Sequence, residues 1–307
     1  MRELEFIDWI QGRSDFDATK VPVGPGDDCA IVRLGDKNLL VTTDQLLDGV
    51  HIILAEHGAR AAGRKVIARS LSDIAAMAAI PLAAVATATL PRDFPESEAQ
   101  ELYRGMREIA DEYHCPLVGG DVATWDGPLC LTSTIFGRRA GVTGGIEPIL
   151  RSGAMVGDAV CVTGMLGGAW KSSKHLEFQP RVAQGVELAI SCRLRSMIDI
   201  SDSLARDLQH ICTASGVGAE IVAADVPVNP DLAGDPAAAL HAALHDGEDY
   251  ELLFTVSQAW ARKLISRQPL SVPITRIGTI VADAGLTLIS ADGSRNKLEP
   301  IGWEHGV

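Results

Sequence analysis

Aspartates at the ends of apolar runs are the first sign of a chemical site in this sequence. The clearest case is SMIDISDSLARDL over 196–208, where Asp199 and Asp202 flank Ser201 directly after an apolar segment. A single aspartate at such a place is an ordinary turn or cap residue. Here the pattern recurs, and the other acids of this kind are Asp27, Asp28, Asp44, Asp73, Asp121, Glu248 and Asp249.

Carboxylates beside apolar strands indicate a site that needs cations. Ionised groups are disfavoured next to buried segments, and two carboxylates about 4 Å apart repel by about 4 kcal/mol at an effective dielectric of 20. If several of these acids converge, bound cations must offset that repulsion. Carboxylates with neighbouring hydroxyls, as in Thr42, Thr43 and Asp44, favour Mg²⁺, which commonly bridges carboxylates to phosphates.

Other catalytic and metal motifs are missing from the sequence. It has no G-x-x-x-x-G-K-[ST] loop, no H-E-x-x-H and no G-x-S-x-G, and the acids around Ser201 do not fit D-x-D-x-[TV]. The six cysteines form no C-x-x-C pair. This argues against a zinc site or a disulfide framework and fits a reducing compartment.

The composition limits the protein class and its partners. With 307 residues, 47% hydrophobic and 22% charged, we expect one large or two mid-sized soluble domains. The net charge of -13 argues against a nucleic acid or an anionic membrane as partner. The N-terminus lacks a signal-peptide core, and the apolar run 74–90, interrupted by Pro81, fits a buried helix followed by a strand. We therefore expect a cytoplasmic protein.

Strand and helix patterns are mixed along the whole chain, which predicts an α/β or α+β protein of two domains. Strands are predicted over 38–44, 83–90, 115–121, 128–138, 158–164, 218–223, 250–256 and 272–280, and a further buried strand is predicted to lead into Asp199. Helices are predicted over 59–79, 96–114 and 236–246, near 181–193, and from the D-x-S-D segment to about 214. The glycine-rich segment 138–158 is the predicted junction. The predicted domains are therefore residues 1–145 and 146–307.

Taken together, these segments resemble the thiamine-monophosphate kinases, a family within the aminoimidazole ribonucleotide synthetase-like ATP-binding superfamily. The matching pieces are GDDCAIV, TTDQLLDGVH, LSDIAAM, LVGGD, RSGAMVGD-AVCVTG, DISDSL and DGEDYELLF, in family order, with GWEH near the C-terminus. The resemblance implies two domains, each a mixed sheet with flanking helices. It also implies a homodimer formed through the N-terminal domain, with ATP and several Mg²⁺ in the cleft between the domains.

Carried over position by position, the resemblance implies three groups of site residues. The implied metal ligands are Asp28, Thr42, Thr43, Asp44, Asp73, Asp121, Asp199 and Asp202. The implied ATP contacts are Tyr103, Gly120, Asp121, Arg151 and Ser201. The implied contacts to thiamine monophosphate are His51, Glu248 and Trp303.

The implied reaction is the last step of thiamine diphosphate biosynthesis, phosphorylation of thiamine monophosphate by direct in-line transfer from ATP. Such transfer depends on positioning and charge neutralisation. The acceptor phosphate has a second pKa of about 6 and is mostly dianionic at neutral pH, so no general base is needed. No catalytic acid or base is therefore assigned, in agreement with a site made of carboxylates and metal.

The sequence departs from the family pattern in its C-terminal half. Ser203 replaces a glycine that is usual there, and it either caps the following helix or crowds a position that the family keeps bare. The region 165–180 looks shorter than in the family. Asp207, one turn further along, is expected on the solvated surface.

Two alternatives to this kinase stay open. The first is another enzyme of the superfamily. It is disfavoured because the first cysteine, Cys29, lies in an apolar run instead of a glycine-rich loop and the C-terminal GWEHGV carries no cysteine. The second is a nucleotide-binding regulatory dimer that has lost catalysis, which the shortened region 165–180 keeps open.

Overall fold

The computed structural model describes residues 3–141, 146–232 and 234–303. Its helices are α1 (Glu3–Gln11), α2 (Leu54–Ala76), α3 (Glu96–Glu112), α4 (Lys174–Glu177), α5 (Val182–Ser191), α6 (Leu204–Ser215), α7 (Pro236–His245) and α8 (Gln258–Arg267). Its strands are β1 (Ala30–Leu34), β2 (Lys37–Leu47), β3 (Ala79–Pro91), β4 (Leu117–Trp125), β5 (Cys130–Arg139), β6 (Ala159–Thr163), β7 (Leu194–Asp199), β8 (Gly218–Val222), β9 (Leu252–Val256), β10 (Ile274–Val281), β11 (Gly285–Ile289) and β12 (Arg295–Lys297).

The N-terminal sheet has the order β1-β2-β5-β3-β4, and its neighbouring strands are antiparallel except for the parallel pair β3–β4. Helix α2 packs on one face of this sheet. Alternate residues of β5 point to that face and are buried, and the buried side chains of α2 are mostly small or apolar. Helices α2 and α3 cross closely at two glycines. A Cβ at Gly63 would lie 2.0 Å from the Leu102 carbonyl oxygen, and one at Gly105 would lie 2.0 Å from that of Arg60.

The C-terminal sheet has the order β12-β11-β8-β10-β6-β9-β7, with β11 and β8 parallel and the other neighbours antiparallel. Strands β6 and β9 are buried along their whole length. One face packs on α6 and α7 in a core of its own. The other face shares a core with the N-terminal sheet and α2, so the two halves are fixed against each other by apolar packing.

The structure confirms the mixed two-sheet fold and the helix-then-strand interpretation of 74–90. The predicted boundary at 145/146 falls at residues 142–145, which lie outside the described residues, so the division into domains stays a prediction. The sequence pattern did not predict α1, α4, α8, β1, β11 and β12. No helix in the described ranges is long and apolar enough to cross a membrane.

One strand differs from its prediction in a way that bears on the site. We expected a short buried strand over 115–121 that ends at Asp121. Strand β4 instead runs through Trp125, so that Asp121 lies in its middle, and it is exposed along most of its length. Within the part of the chain that the structure describes, it pairs only with β3 and forms the edge of the sheet. Val118 and Val122 are 64% and 67% exposed.

Candidate active site

A cavity of about 870 Å³ lies between the two halves of the chain. Its walls include side chains from the loop before β1, from β2 and α2, and from the loops around α6 and before β9. Of the predicted site residues, the cavity lining brings together Thr43, Asp44, His51, Arg151, Ser201, Asp202, Glu248 and Trp303.

Two buried aspartates and one half-buried aspartate converge beside this cavity. Asp28 comes from the loop before β1, Asp73 from the last turn of α2 and Asp199 from the end of β7, and one carboxylate oxygen of each lies within 4.8 Å of the others. The Oγ of Ser72 donates a hydrogen bond of 2.6 Å to Asp199 Oδ2, and the Thr42 hydroxyl donates to Asp73. The predicted ligands from three distant segments therefore form one cluster.

The electrostatics of the cluster favour a cation. Burial and the charges of Asp44 and Asp199 raise the pKa of Asp73 well above its usual range. Burial and the charge of Asp28 raise the pKa of Asp199 to about 7. Among the described residues, Asp28 Oδ2 is buried and has no hydrogen-bond partner. A buried carboxylate oxygen of this kind is costly unless it is paired or binds a metal.

Asp207 is buried, so its expected place on the solvated surface was wrong. Its Oδ2 accepts hydrogen bonds from the backbone N–H groups of Ser201, Asp202 and Ser203 at 3.1, 3.2 and 3.1 Å. It turns inward because an acid in the first turn of α6 can satisfy N–H groups that have no partner within the helix. Asp207 thus shapes the loop that carries Asp202, and the two acids lie within 4.8 Å of His210.

Ser203 caps α6, which settles the alternatives stated for it. Its Oγ accepts from the N–H of Arg206 at 3.0 Å and donates to the Ile301 carbonyl at 2.8 Å. The N–H of Trp303 donates to the Asp202 carbonyl at 3.1 Å, and Arg206 Nη1 donates to the Trp303 carbonyl at 2.6 Å. The start of α6 therefore fixes the segment that brings Trp303 to the cavity.

Glu248 is held by a buried lysine that sequence reasoning missed. Lys65 on α2 is fully buried, pairs with Glu248, donates to the His51 carbonyl at 2.5 Å and lies 2.9 Å from His175 Nδ1. Burial lowers the pKa of Lys65 to about 8. Burial also opposes ionisation of Glu248, but the neighbouring His175 and the charges of Lys65 and Arg69 outweigh it and lower the pKa of Glu248.

The ring of His51 is held by the backbone. It is almost wholly buried, and its Nδ1 accepts a hydrogen bond from the Leu47 N–H at 3.0 Å. Because Nδ1 is used as an acceptor, the neutral ring carries its proton on Nε2. His51 is therefore a positioned donor at the cavity wall.

Tyr103, Gly120 and Asp121 lie away from this cavity and line a second one of about 560 Å³ between α3, β3 and β4. Asp44, Ser133, Ala86 and Gly120 form one row across the sheet. Neighbouring strands are about 4.8 Å apart, so three strand spacings separate Asp44 from Gly120 by about 14 Å. Within one chain, these three residues do not join the carboxylate cluster.

Comparison with known proteins gives the family. Residues 26–139 match the AIR synthase related protein, N-terminal domain. Over 318 aligned residues, 99% of this chain and 97% of the relative, the sequence is 36% identical to the thiamine-monophosphate kinase of Rhodopirellula baltica. The chain belongs to the thiamine-monophosphate kinase family.

Further comparisons agree with this family. The thiamine-monophosphate kinase of Escherichia coli K12 is 35% identical over 93% of this chain and 92% of its own length. A solved structure of AaThiL complexed with AMPPCP and TMP superposes with a TM-score of 0.79 at 27% identity, covering 99% of this chain and 97% of that one. Membership in the thiamine-monophosphate kinase family favours the kinase over the other superfamily enzymes considered above.

Proposed function

We propose that the protein transfers the terminal phosphoryl group of ATP to thiamine monophosphate, giving thiamine diphosphate and ADP. The observation that carries the proposal is the cluster of Asp28, Asp73 and Asp199 beside a cavity that is lined by Asp44, Glu248 and Trp303. One carboxylate oxygen of this cluster, Asp28 Oδ2, has no hydrogen-bond partner among the described residues. Family membership supports it, as does the similarity to a structure complexed with AMPPCP and TMP.

The acidic cluster fits Mg²⁺, because its donors are carboxylate and hydroxyl oxygens, which that ion prefers. The residues that would hold the ions are Asp28, Thr42, Thr43, Asp44, Asp73, Asp199 and Asp202. When bound, the ions would offset the charge of the phosphates and carboxylates that meet in the cavity.

The protein groups around the cluster position the substrates. Arg151 Nη2 contacts Asp28 Oδ1 at 2.8 Å, which fixes a cation in the cavity wall for the phosphates of ATP, and Ser201 lines the same cavity. His51, Glu248 and Trp303 would face thiamine monophosphate. Its dianionic phosphate is already a nucleophile at neutral pH, so none of these residues has to remove a proton.

We propose further that a second copy of the chain completes the site. Strand β4 is a long edge strand with exposed valines, and such edges pair readily with another chain. Tyr103, Gly120 and Asp121 lie on or beside this edge. A homodimer in which the partner packs on this exposed side of the N-terminal domain would bring them from one protomer toward the cavity of the other.

The function is tested by incubating the purified protein with ATP, Mg²⁺ and thiamine monophosphate and separating the products. Formation of thiamine diphosphate is expected. A protein that binds ATP but forms no thiamine diphosphate would instead be the catalytically inactive, nucleotide-binding dimer.

The shared site is tested with Asp44→Asn and Asp121→Asn. Each homodimer should be inactive. A heterodimer purified through two different tags should keep one intact site and about half of the wild-type activity. An inactive heterodimer would contradict the shared site while leaving the proposed reaction in place, provided the wild-type protein forms thiamine diphosphate.

A further inference from the structure

Arg69 is a cavity residue that no motif or resemblance pointed to. It lies on α2, one turn from Lys65 and one turn from Asp73, with its side chain 15% exposed. Its guanidinium lies between two acids of the cavity. Nη2 is 3.5 Å from Asp44 Oδ1, and Nη1 is 3.5 Å from Glu248 Oε1.

These contacts leave much of the guanidinium's donor capacity available. Charge-assisted hydrogen bonds between nitrogen and oxygen are usually about 2.7–2.9 Å long, so both contacts are loose. Arg69 Nε is buried and has no hydrogen-bond partner among the described residues. Arg151 also has a buried Nε without a partner among the described residues, but its Nη2 binds Asp28 closely, at 2.8 Å, whereas Arg69 has no contact that short in its ion pairs. An arginine with five N–H donors that is largely buried but only loosely paired suits an anionic ligand.

The position of Arg69 identifies the anion. Asp44 belongs to the carboxylate and metal side of the cavity, where the phosphates of ATP are proposed to bind, and Glu248 belongs to the thiamine side. In an in-line transfer the acceptor phosphate must lie between the two. We propose that Arg69 binds the phosphate group of thiamine monophosphate and thereby selects the phosphorylated substrate over thiamine. This inference rests on the proposed function.

The test compares two ligands that differ only in that phosphate. Binding of thiamine monophosphate and of thiamine is measured by calorimetry with Mg²⁺ for the wild type, Arg69→Met and Arg69→Lys. Loss of a hydrogen-bonded charge pair should weaken binding of thiamine monophosphate by roughly 10- to 100-fold in Arg69→Met. Binding of thiamine should change by less than about 2-fold, because thiamine offers no phosphate to the guanidinium.

Arg69→Lys covers the case in which the methionine variant does not fold. It keeps the charge but not the forked geometry, so the preference for thiamine monophosphate over thiamine should fall but not vanish. Arg60→Met is the matched control. It makes the same change on the same helix at an exposed ion pair with Glu108, and it should bind both ligands as the wild type does.

Three results would overturn the inference. If Arg69→Met weakens the binding of thiamine monophosphate and the binding of thiamine by the same factor, Arg69 only supports the cavity wall. If the preference is unchanged in Arg69→Lys and Arg69→Met, the phosphate binds elsewhere, while wild-type turnover still supports the proposed function. If the wild-type protein binds no thiamine monophosphate, the proposed function fails and this inference fails with it.

Discussion

Replacing Asp199 by asparagine should stabilise the metal-free protein while removing its response to Mg²⁺. Asp199 is buried among other acids, and its pKa is raised to about 7 from 3.8. Between pH 4 and 7 the unfolded chain loses this proton while the folded chain keeps it, so the free energy of unfolding falls as the pH rises through that window. Above pH 7 the free energy of unfolding has fallen by the full amount, and below pH 4 Asp199 causes no such fall.

The size of the effect follows from the shift and from the geometry. At about 1.4 kcal/mol per pKa unit, a shift of about three units corresponds to about 4 kcal/mol. Two charges 4.8 Å apart repel by about 3.5 kcal/mol at an effective dielectric of 20, which gives a similar magnitude. Asparagine keeps an oxygen that can accept the hydrogen bond from Ser72, so we expect a gain of about 2–4 kcal/mol in EDTA at pH 8.

The assay is urea unfolding at pH 4 and pH 8, in EDTA and with Mg²⁺, followed by measurement of kinase activity. Asp199→Asn should match the wild type at pH 4, exceed it at pH 8 in EDTA, gain little from Mg²⁺ and be inactive. The control Asp36→Asn, in the exposed turn between β1 and β2, should stay within about 0.5 kcal/mol of the wild type. A variant less stable than the wild type at pH 8 in EDTA would refute the account of the cluster.

Three further substitutions probe the supporting structure. Lys65→Met should leave Glu248 without its closest buried partner, lowering the free energy of unfolding by about 2–4 kcal/mol and raising the KM for thiamine monophosphate more than that for ATP; equal changes in both KM values would contradict this role. Ser203→Ala should lose the α6 cap and the contact to the Ile301 carbonyl, at a cost of about 1 kcal/mol measurable by urea unfolding; no loss would mean that the cap contributes nothing. Gly105→Ala should force α3 away from the Arg60 carbonyl and lower stability by about 1–3 kcal/mol, and a melting temperature equal to that of the wild type would refute the close crossing.

The carboxylate cluster could be predicted from the sequence because its members sit where apolar segments end. Asp28 lies just before β1, Asp199 ends β7 and Asp73 follows a serine in a small-residue helix. Asp44, which was expected to end its strand, lies instead within β2. Ends of neighbouring elements meet at the same edge of a fold, so local pattern carries this information. The mixed two-sheet fold was predictable for the same reason.

The missed cations and Asp207 show what local pattern does not carry. Lys65 and Arg69 lie on a helix whose other inward residues are small or apolar, and charged residues on a helix ordinarily face solvent. Both cations pair with Glu248, which is nearly 200 residues away in the sequence, and Arg69 also pairs with Asp44 on the neighbouring strand β2. Local pattern shows neither contact. The sequence did contain an indication that Asp207 is buried. Ser203, four residues earlier, caps α6, and an acid in the first turn after such a cap can accept hydrogen bonds from N–H groups at the start of the helix.

The exposure of β4 could not be predicted for a different reason. An apolar strand that pairs with another chain has the same composition as one buried within its own fold. Leu117 and Val118 therefore indicated a core strand. Only the strand order shows that Asp121 lies at an edge, with its neighbour Gly120 about 14 Å from Asp44 across the sheet.

The most direct test of phosphoryl transfer from ATP to the phosphate of thiamine monophosphate is to quantify both products of that transfer. ATP, Mg²⁺ and thiamine monophosphate are incubated with the protein, and ADP and thiamine diphosphate are quantified in the same samples, with thiamine as the alternative acceptor. We expect one thiamine diphosphate to form for each ADP, the reaction to require Mg²⁺, and thiamine to give no phosphorylated product. ADP without thiamine diphosphate, or phosphorylation of thiamine itself, would contradict it.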